Sequence, residues 1–89
     1  REKINTILFF YSNNESYIKE SEEAGRILGV VAERYQNLII YSFDIDLESD
    51  LVNKLEKKYN VTYSSTAVIN EKTSIKLPAN IQEIEKHLQ

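Results

Sequence analysis

Cysteine is absent from the 89 residues, as are methionine and tryptophan. Without a thiol there is no disulfide, no thiolate nucleophile and no zinc–cysteinate site. The compartment cannot be read from redox chemistry that is missing. Glycine occurs twice and proline once, and no low-complexity tract is present, so the chain reads as folded. A basic surplus is lacking too. Eleven Lys and Arg against fourteen Asp and Glu leave a net charge of −3 and a pI near 5.1, the reverse of a nucleic-acid footprint. The longest apolar run, Ile7 to Tyr11, is five residues, far below the ~20 a membrane span requires.

What remains is one domain over residues 1–89. A hydrophobic fraction of 42% supplies a single core, although a chain this short buries only ~60–65% of its unfolded surface. The missing methionine and the start at Arg1 suggest a domain cut from a longer protein, including one anchored in a membrane elsewhere. No signal-peptide pattern is present.

Residues 4 to 11, INTILFFY, are nearly all apolar and rich in β-formers, which predicts a strand buried on both faces. Residues 16 to 35 are helical, with Ala24, Leu28, Val31 and Tyr35 on one stripe and Glu22 and Arg26 spaced for an (i, i+4) pair. Residues 38 to 45, LIIYSFDI, predict a second buried strand. A helix over Ser49 to Lys58 follows, with Leu51, Val52, Leu55 and Tyr59 facing inward, Ser49 as N-cap and Asn60 as a left-handed stop. Residues 66 to 69 form a third strand. A turn at Asn-Glu-Lys-Thr leads to a half-exposed strand over Ser74 to Leu77. Asn80 caps a last helix with Glu83 three residues on, and Ile81, Ile84 and Leu88 face inward.

The order β-α-β-α-β-β-α predicts an α/β fold with a four-stranded mixed sheet and helices on both faces. With these lengths it resembles the thioredoxin fold in its minimal form, over essentially the whole chain. Tyr59-Asn60-Val61 and Ser65-Thr66-Ala67-Val68 look like that family's Tyr-Gly-Val and Pro-Thr-x-x stretch, with Asn60 in the place of Gly. Asp44 and Asp46 stand where thioredoxins often carry an acid. Two departures bear on function. The family's Cys-x-x-Cys position is matched by Glu15-Ser16-Tyr17-Ile18, and thiol–disulfide exchange cannot proceed without sulfur. The family's cis-proline is matched by Ser65. A cis bond before a non-proline costs about 3 kcal/mol, so the Ser64–Ser65 bond is expected to be trans. The resemblance therefore implies a redox-inactive member.

Several residues invite a site. The turn Ser12 to Ser16 could bind an anion at a helix N-terminus or simply cap it through Asn14 or Ser16. Capping is preferred, because Glu15 already occupies the positive end. Asp44, Asp46, Glu48 and Asp50 suggest calcium, but Ser49 and Leu55 stand where an EF-hand needs Gly and Glu. Asp44 and Asp46, at i and i+2 of a strand, could divide acid and base roles. His87 is alone near the C-terminus and reads as structural. Gly25 and Gly29 suggest either close approach of the helix to the sheet or a smooth docking face. Asn14 and Asn60 begin glycosylation sequons. Tyr11, Tyr17 and Tyr63 gather with Asn14, Glu15, Ser64 and Ser65 at the sheet end, an edge suited to an extended peptide.

The preferred reading is a redox-inactive module that binds a protein or peptide or serves as a structural domain. No cofactor, nucleic acid or membrane insertion is expected. The rival is an anion- or metal-binding enzyme using the first turn or the Asp44/Asp46 carboxylates. Self-association through the Ser74–Leu77 edge is a third possibility.

Overall fold

The structure, a computed structural model, describes residues 3–62, 64–76, 78 and 80–89. Among these the elements are β1 (Asn5–Tyr11), α1 (Ile18–Arg34), β2 (Leu38–Asp44), α2 (Asp50–Lys58), β3 (Thr66–Ile69), β4 (Thr73–Lys76) and α3 (Ile81–Glu85). The strands form one mixed sheet in the order β2-β1-β3-β4. β1 runs parallel to β2 and antiparallel to β3, and β4 is antiparallel to β3. The α/β class, the element order and the four-stranded mixed sheet agree with the sequence expectation.

β1 is apolar on both sides because it lies inside the sheet and is covered from above and below. Ile7 and Phe9 join Ala24, Ile27, Leu28 and Val31 of α1 and Ile84 of α3 in one core. Phe10, from the alternate set, joins Val61 and Val68 in a second core, against which Leu8, Phe43, Leu55 and Tyr59 pack. Alternate side chains of one strand thus feed two cores, which is the period-2 geometry of a strand. α1 and α3 share one face and α2 lies on the other.

The short-range predictions hold where side-chain chemistry is local. The Ser49 hydroxyl accepts the Val52 N–H, and Asn80 Oδ1 accepts the Glu83 N–H at 2.9 Å. Asn60 takes a left-handed conformation with φ 53°. The β3–β4 hairpin turns through Asn70 and Glu71, both at positive φ, with Lys72 N–H donating to Ile69 C=O. Positive φ at both central residues is the twist-matched hairpin turn.

Four expectations are corrected. β2 is an edge strand, not a buried one: Ile39 is 44% and Tyr41 48% exposed. An apolar run does not reveal that only one neighbouring strand is present. Leu51 is 60% exposed, because the neighbouring Val52 takes the buried place at the start of α2, with Leu55 and Tyr59 packing below it. Arg26 pairs with Glu23, at i and i+3, and not with Glu22. Neither glycine of α1 is demanded by close approach. A Cβ at Gly25 would make an ordinary 3.6 Å contact with Phe9, and one at Gly29 would meet nothing within 4 Å. Leu77, at the end of the expected fourth strand, lies outside the described residues.

A polar clamp closes the end of the sheet where β1 begins. The Asn5 side chain, 1% exposed, donates to Gln89 C=O and accepts from Gln89 N–H and the Asn70 amide. Asn70 Oδ1 in turn accepts the Thr6 N–H at 2.9 Å. The hairpin, β1 and Gln89 are therefore joined by one set of amides, and no buried side-chain polar atom among the described residues lacks a partner.

Because Gly29 sits mid-helix with open space at its Cβ, Gly29→Ala is expected to raise stability by about 0.5–1 kcal/mol. A urea unfolding curve measures this, and an unchanged or lowered midpoint would contradict it.

Candidate functional site

Beyond Tyr11 the chain leaves the sheet, and its polar side chains turn back on the backbone. The Asn14 C=O accepts the N–H groups of Tyr17 and Ile18, each at 2.9 Å, while its Oδ1 accepts the Ser16 N–H at 2.9 Å. α1 then starts at Ile18, preceded by Tyr17 with no side-chain cap. The expected cap by Asn14 or Ser16 is thus corrected. Asn14 closes the turn before the helix, because its backbone carbonyl already takes the first helical donors.

Beneath this turn lies a knot of buried hydroxyls. Ser12, Ser21, Ser64 and Ser65 are 1%, 6%, 5% and 0% exposed. Ser21 Oγ accepts the Ser12 N–H at 2.9 Å and lies 2.8 Å from Ser65 Oγ and 3.4 Å from Ser64 Oγ. One hydroxyl of α1 therefore joins the end of β1 to the segment entering β3. The Ser64–Ser65 peptide is cis, which corrects the expectation of trans. That expectation used the preference of an isolated peptide, whereas here both side chains are enclosed and held by Ser21.

The acidic pair is part of the same scaffold. Asp46 Oδ2 accepts from Ser12 Oγ and from Asn13 N–H, both at 2.8 Å. Ser12 Oγ also accepts the Asn14 N–H at 3.0 Å. Asp44 Oδ1 takes the Asp46 N–H at 2.8 Å, and its Oδ2 takes the Asn13 amide at 3.1 Å. The two acids do not share a strand face as expected. Asp44 ends β2, and its carboxylate folds the chain so that Asp46 lies past the strand. The Ser12 hydroxyl, with the Asn13 N–H second, holds the Asp46 carboxyl below its ordinary value of 3.8. A general acid needs the opposite shift. Among the described residues no three Asp, Glu or His side chains converge as metal ligands. The turn also offers an anion few donors, since the N–H groups of Asn14, Ser16, Tyr17 and Ile18 are already used.

The sheet end does gather most of the expected edge, in two layers. Tyr11 is half-buried with its ring stacked on Phe9 at 5.7 Å, and Asn14 and Glu15 are exposed. Tyr17 is 42% exposed. Ser64 and Ser65 lie underneath as supports, so their side chains cannot meet a ligand. Tyr63 lies outside the described residues. Beside these layers, along β1, β2 and the start of α1, runs a groove of about 330 Å³ lined by Phe9, Tyr11, Asn13, Ile18, Glu22 and Ser42, among others. A wider depression of about 440 Å³, around Lys3, Arg34 and Asn37, lies at the opposite end of the sheet. There Arg34 is committed to Glu85 at 3.2 Å. His87 sits in that same region, its C=O 3.5 Å from the Asn70 amide.

Sequence reading missed Ser21. The available signal was a hydroxyl on the apolar stripe Ser21, Ala24, Leu28 and Val31, where a polar side chain must find a buried partner.

Ser21→Ala removes the acceptor of the Ser12 N–H and the partner of Ser65, and is expected to cost about 1–3 kcal/mol. Ser16→Ala, at an exposed hydroxyl, should stay within about 0.5 kcal/mol. Equal urea midpoints for the two variants would contradict the knot. The lowered Asp46 pKa also has a pH signature. The group binds its proton less readily when folded, so its stabilisation is present above 3.8 and is lost as pH falls through the lower folded value. The stability difference between wild type and Asp46→Asn should therefore shrink between about pH 6 and pH 3. A difference that is constant or grows on acidification would contradict this.

No protein-family model and no curated protein matches the chain. A solved structure described as that of a malarial protein aligns with 98% of this chain and 100% of its own length. Its identity is 20% and its TM-score 0.55. A likeness at that identity supports a shared fold and carries nothing about activity.

Proposed function

We propose that this chain is a redox-inactive, thioredoxin-like module that binds an extended segment of a protein or peptide at the end of β1. The single observation behind this reading is the groove of about 330 Å³ beside the first turn. Its floor is aromatic, from Phe9 and Tyr11. Its rim carries Ile18 and Glu22, and exposed Tyr17 stands at the neighbouring start of α1. An apolar floor with a few polar groups at the rim is the common form of a binding site.

The element order and the mixed sheet support the thioredoxin-like assignment, and the absence of cysteine from the 89 residues supports redox inactivity. In the surrounding turn the polar groups hold one another, so binding would rest on shape and apolar contact. The knot ties together Ser12 and Ser21, both in the groove lining, and a lining braced in this way would have less to order on binding.

The test is an amide NMR titration of the labelled domain with a pool of unfolded peptides. We expect saturable shifts at Tyr11, Asn13, Tyr17, Ile18 and Ser42. Tyr17→Ala should weaken the binding by about tenfold, the loss of one good interface aromatic. Unperturbed amides, or shifts confined to the far end of the sheet, would overturn the reading.

A further inference from the structure

The two edges of the sheet are built differently. β4 is four residues long, carries Lys76 and follows Lys72 in the turn, and short edges with lysine resist pairing with another chain. β2 has seven residues, Leu-Ile-Ile-Tyr-Ser-Phe-Asp. It has no lysine, proline or glycine, and no charge before Asp44 at its end.

The ladder shows which groups of β2 remain available. Asn5 N–H donates to Asn37 C=O at 2.7 Å, and Ile45 N–H donates to Tyr11 C=O at 2.9 Å. The odd-numbered residues of β2 therefore turn their backbone groups toward β1. By alternation the N–H and C=O groups of Leu38, Ile40 and Ser42 point away from the sheet. They reach no partner among the described residues. On the α2 side the same edge shows Ile39 and Tyr41, 44% and 48% exposed. Tyr41 also walls a groove of about 380 Å³ with Leu8, Phe43, Leu51 and Leu55.

We propose that β2 pairs antiparallel with β2 of a second copy of this chain, making a continuous eight-stranded sheet with its two-fold axis at Ile40. The strand is complementary to itself in that register. Ile40 faces Ile40 as a hydrogen-bonded pair, and Leu38 faces Ser42. Ile39 of each copy faces Tyr41 of the other, an aromatic–β-branched pair of the favourable kind. Gln36 meets Asp44 at each end, an amide donor against a carboxylate. No like charges oppose each other, although each copy carries −3. Centring the axis on Tyr41 would place Asp44 against Leu38 and lose that match. An isologous pair of this type closes at two copies. The inference goes beyond the proposed peptide groove and does not rest on it, since the groove and the β2 edge are tested by different measurements.

Analytical ultracentrifugation over a concentration series tests the pairing, and single cysteine substitutions test the register. The native chain is expected to shift from monomer to dimer as concentration rises. Tyr41→Lys and Ile39→Lys, at exposed positions, should each weaken dimerisation by about tenfold or more while leaving the circular dichroism spectrum unchanged. Since the chain has no cysteine of its own, Ile40→Cys should oxidise to a cross-linked dimer. Tyr41→Cys should not, because its two sulfurs would lie on diagonal positions about 7–8 Å apart. A monomer at every concentration would overturn the proposal, as would a dimer indifferent to both lysines. Cross-linking of the Tyr41→Cys variant in preference to the Ile40→Cys variant would overturn it equally, and so would capture of β-rich peptides at β2 without self-association.

Discussion

β1 has to be satisfied in four directions at once, and the rest of the fold follows from that. Its seven residues pair with β2 on one edge and β3 on the other. Its side chains feed one core above the sheet and another below it. Such a strand cannot tolerate a polar interior position unless that position has a partner. Asn5 is such a position, and its amide is held by Gln89 and Asn70. At the other end β1 passes directly into Ser12, which is as deeply buried as the strand itself.

That second end is where comparable α/β folds keep their chemistry, and here the polar groups are turned to holding the chain. Ser12 is fixed to Ser21 through its N–H and to Asp46 through its hydroxyl. Asp44 and Asn13 close the same loop from the β2 side. A carboxylate held by a hydroxyl and a backbone N–H stays ionised and positions its neighbours, which is structural work. The apolar groups left at this surface are Tyr11 and Ile18 at the groove, Tyr17 close by, and Ile39 and Tyr41 along the edge.

Much of this was legible in the chain. β1 and α1 follow from periodicity, and the caps at Ser49 and Asn80, with the stop at Asn60, follow from side chains acting within three residues of themselves. The misreadings share one cause, which is dependence on distant partners. LIIYSFD has the same composition whether a strand flanks it on one edge or two, so its edge position could not be read. Period alone turns Leu51 inward, whereas in the fold the neighbouring Val52 takes the buried place. The Ser64–Ser65 geometry is set by enclosure against Ser21, forty-four residues from Ser65. Of the site, the tyrosines and the turn were visible, but the division into an exposed rim and a buried support was not, because burial is a property of the assembled layers.

The claim that the first turn is closed on itself by the Ser21 knot is tested most directly by native-state hydrogen exchange at the Ser12 and Asn14 amides. Both donate within the knot, Ser12 to Ser21 Oγ and Asn14 to Ser12 Oγ. We predict that Ser12 exchanges as slowly as the central residues of β1, through opening of the domain as a whole, with Asn14 intermediate. Exchange of Ser12 at the rate of an unstructured peptide would mean that the turn opens freely and that its polar groups are available for other work.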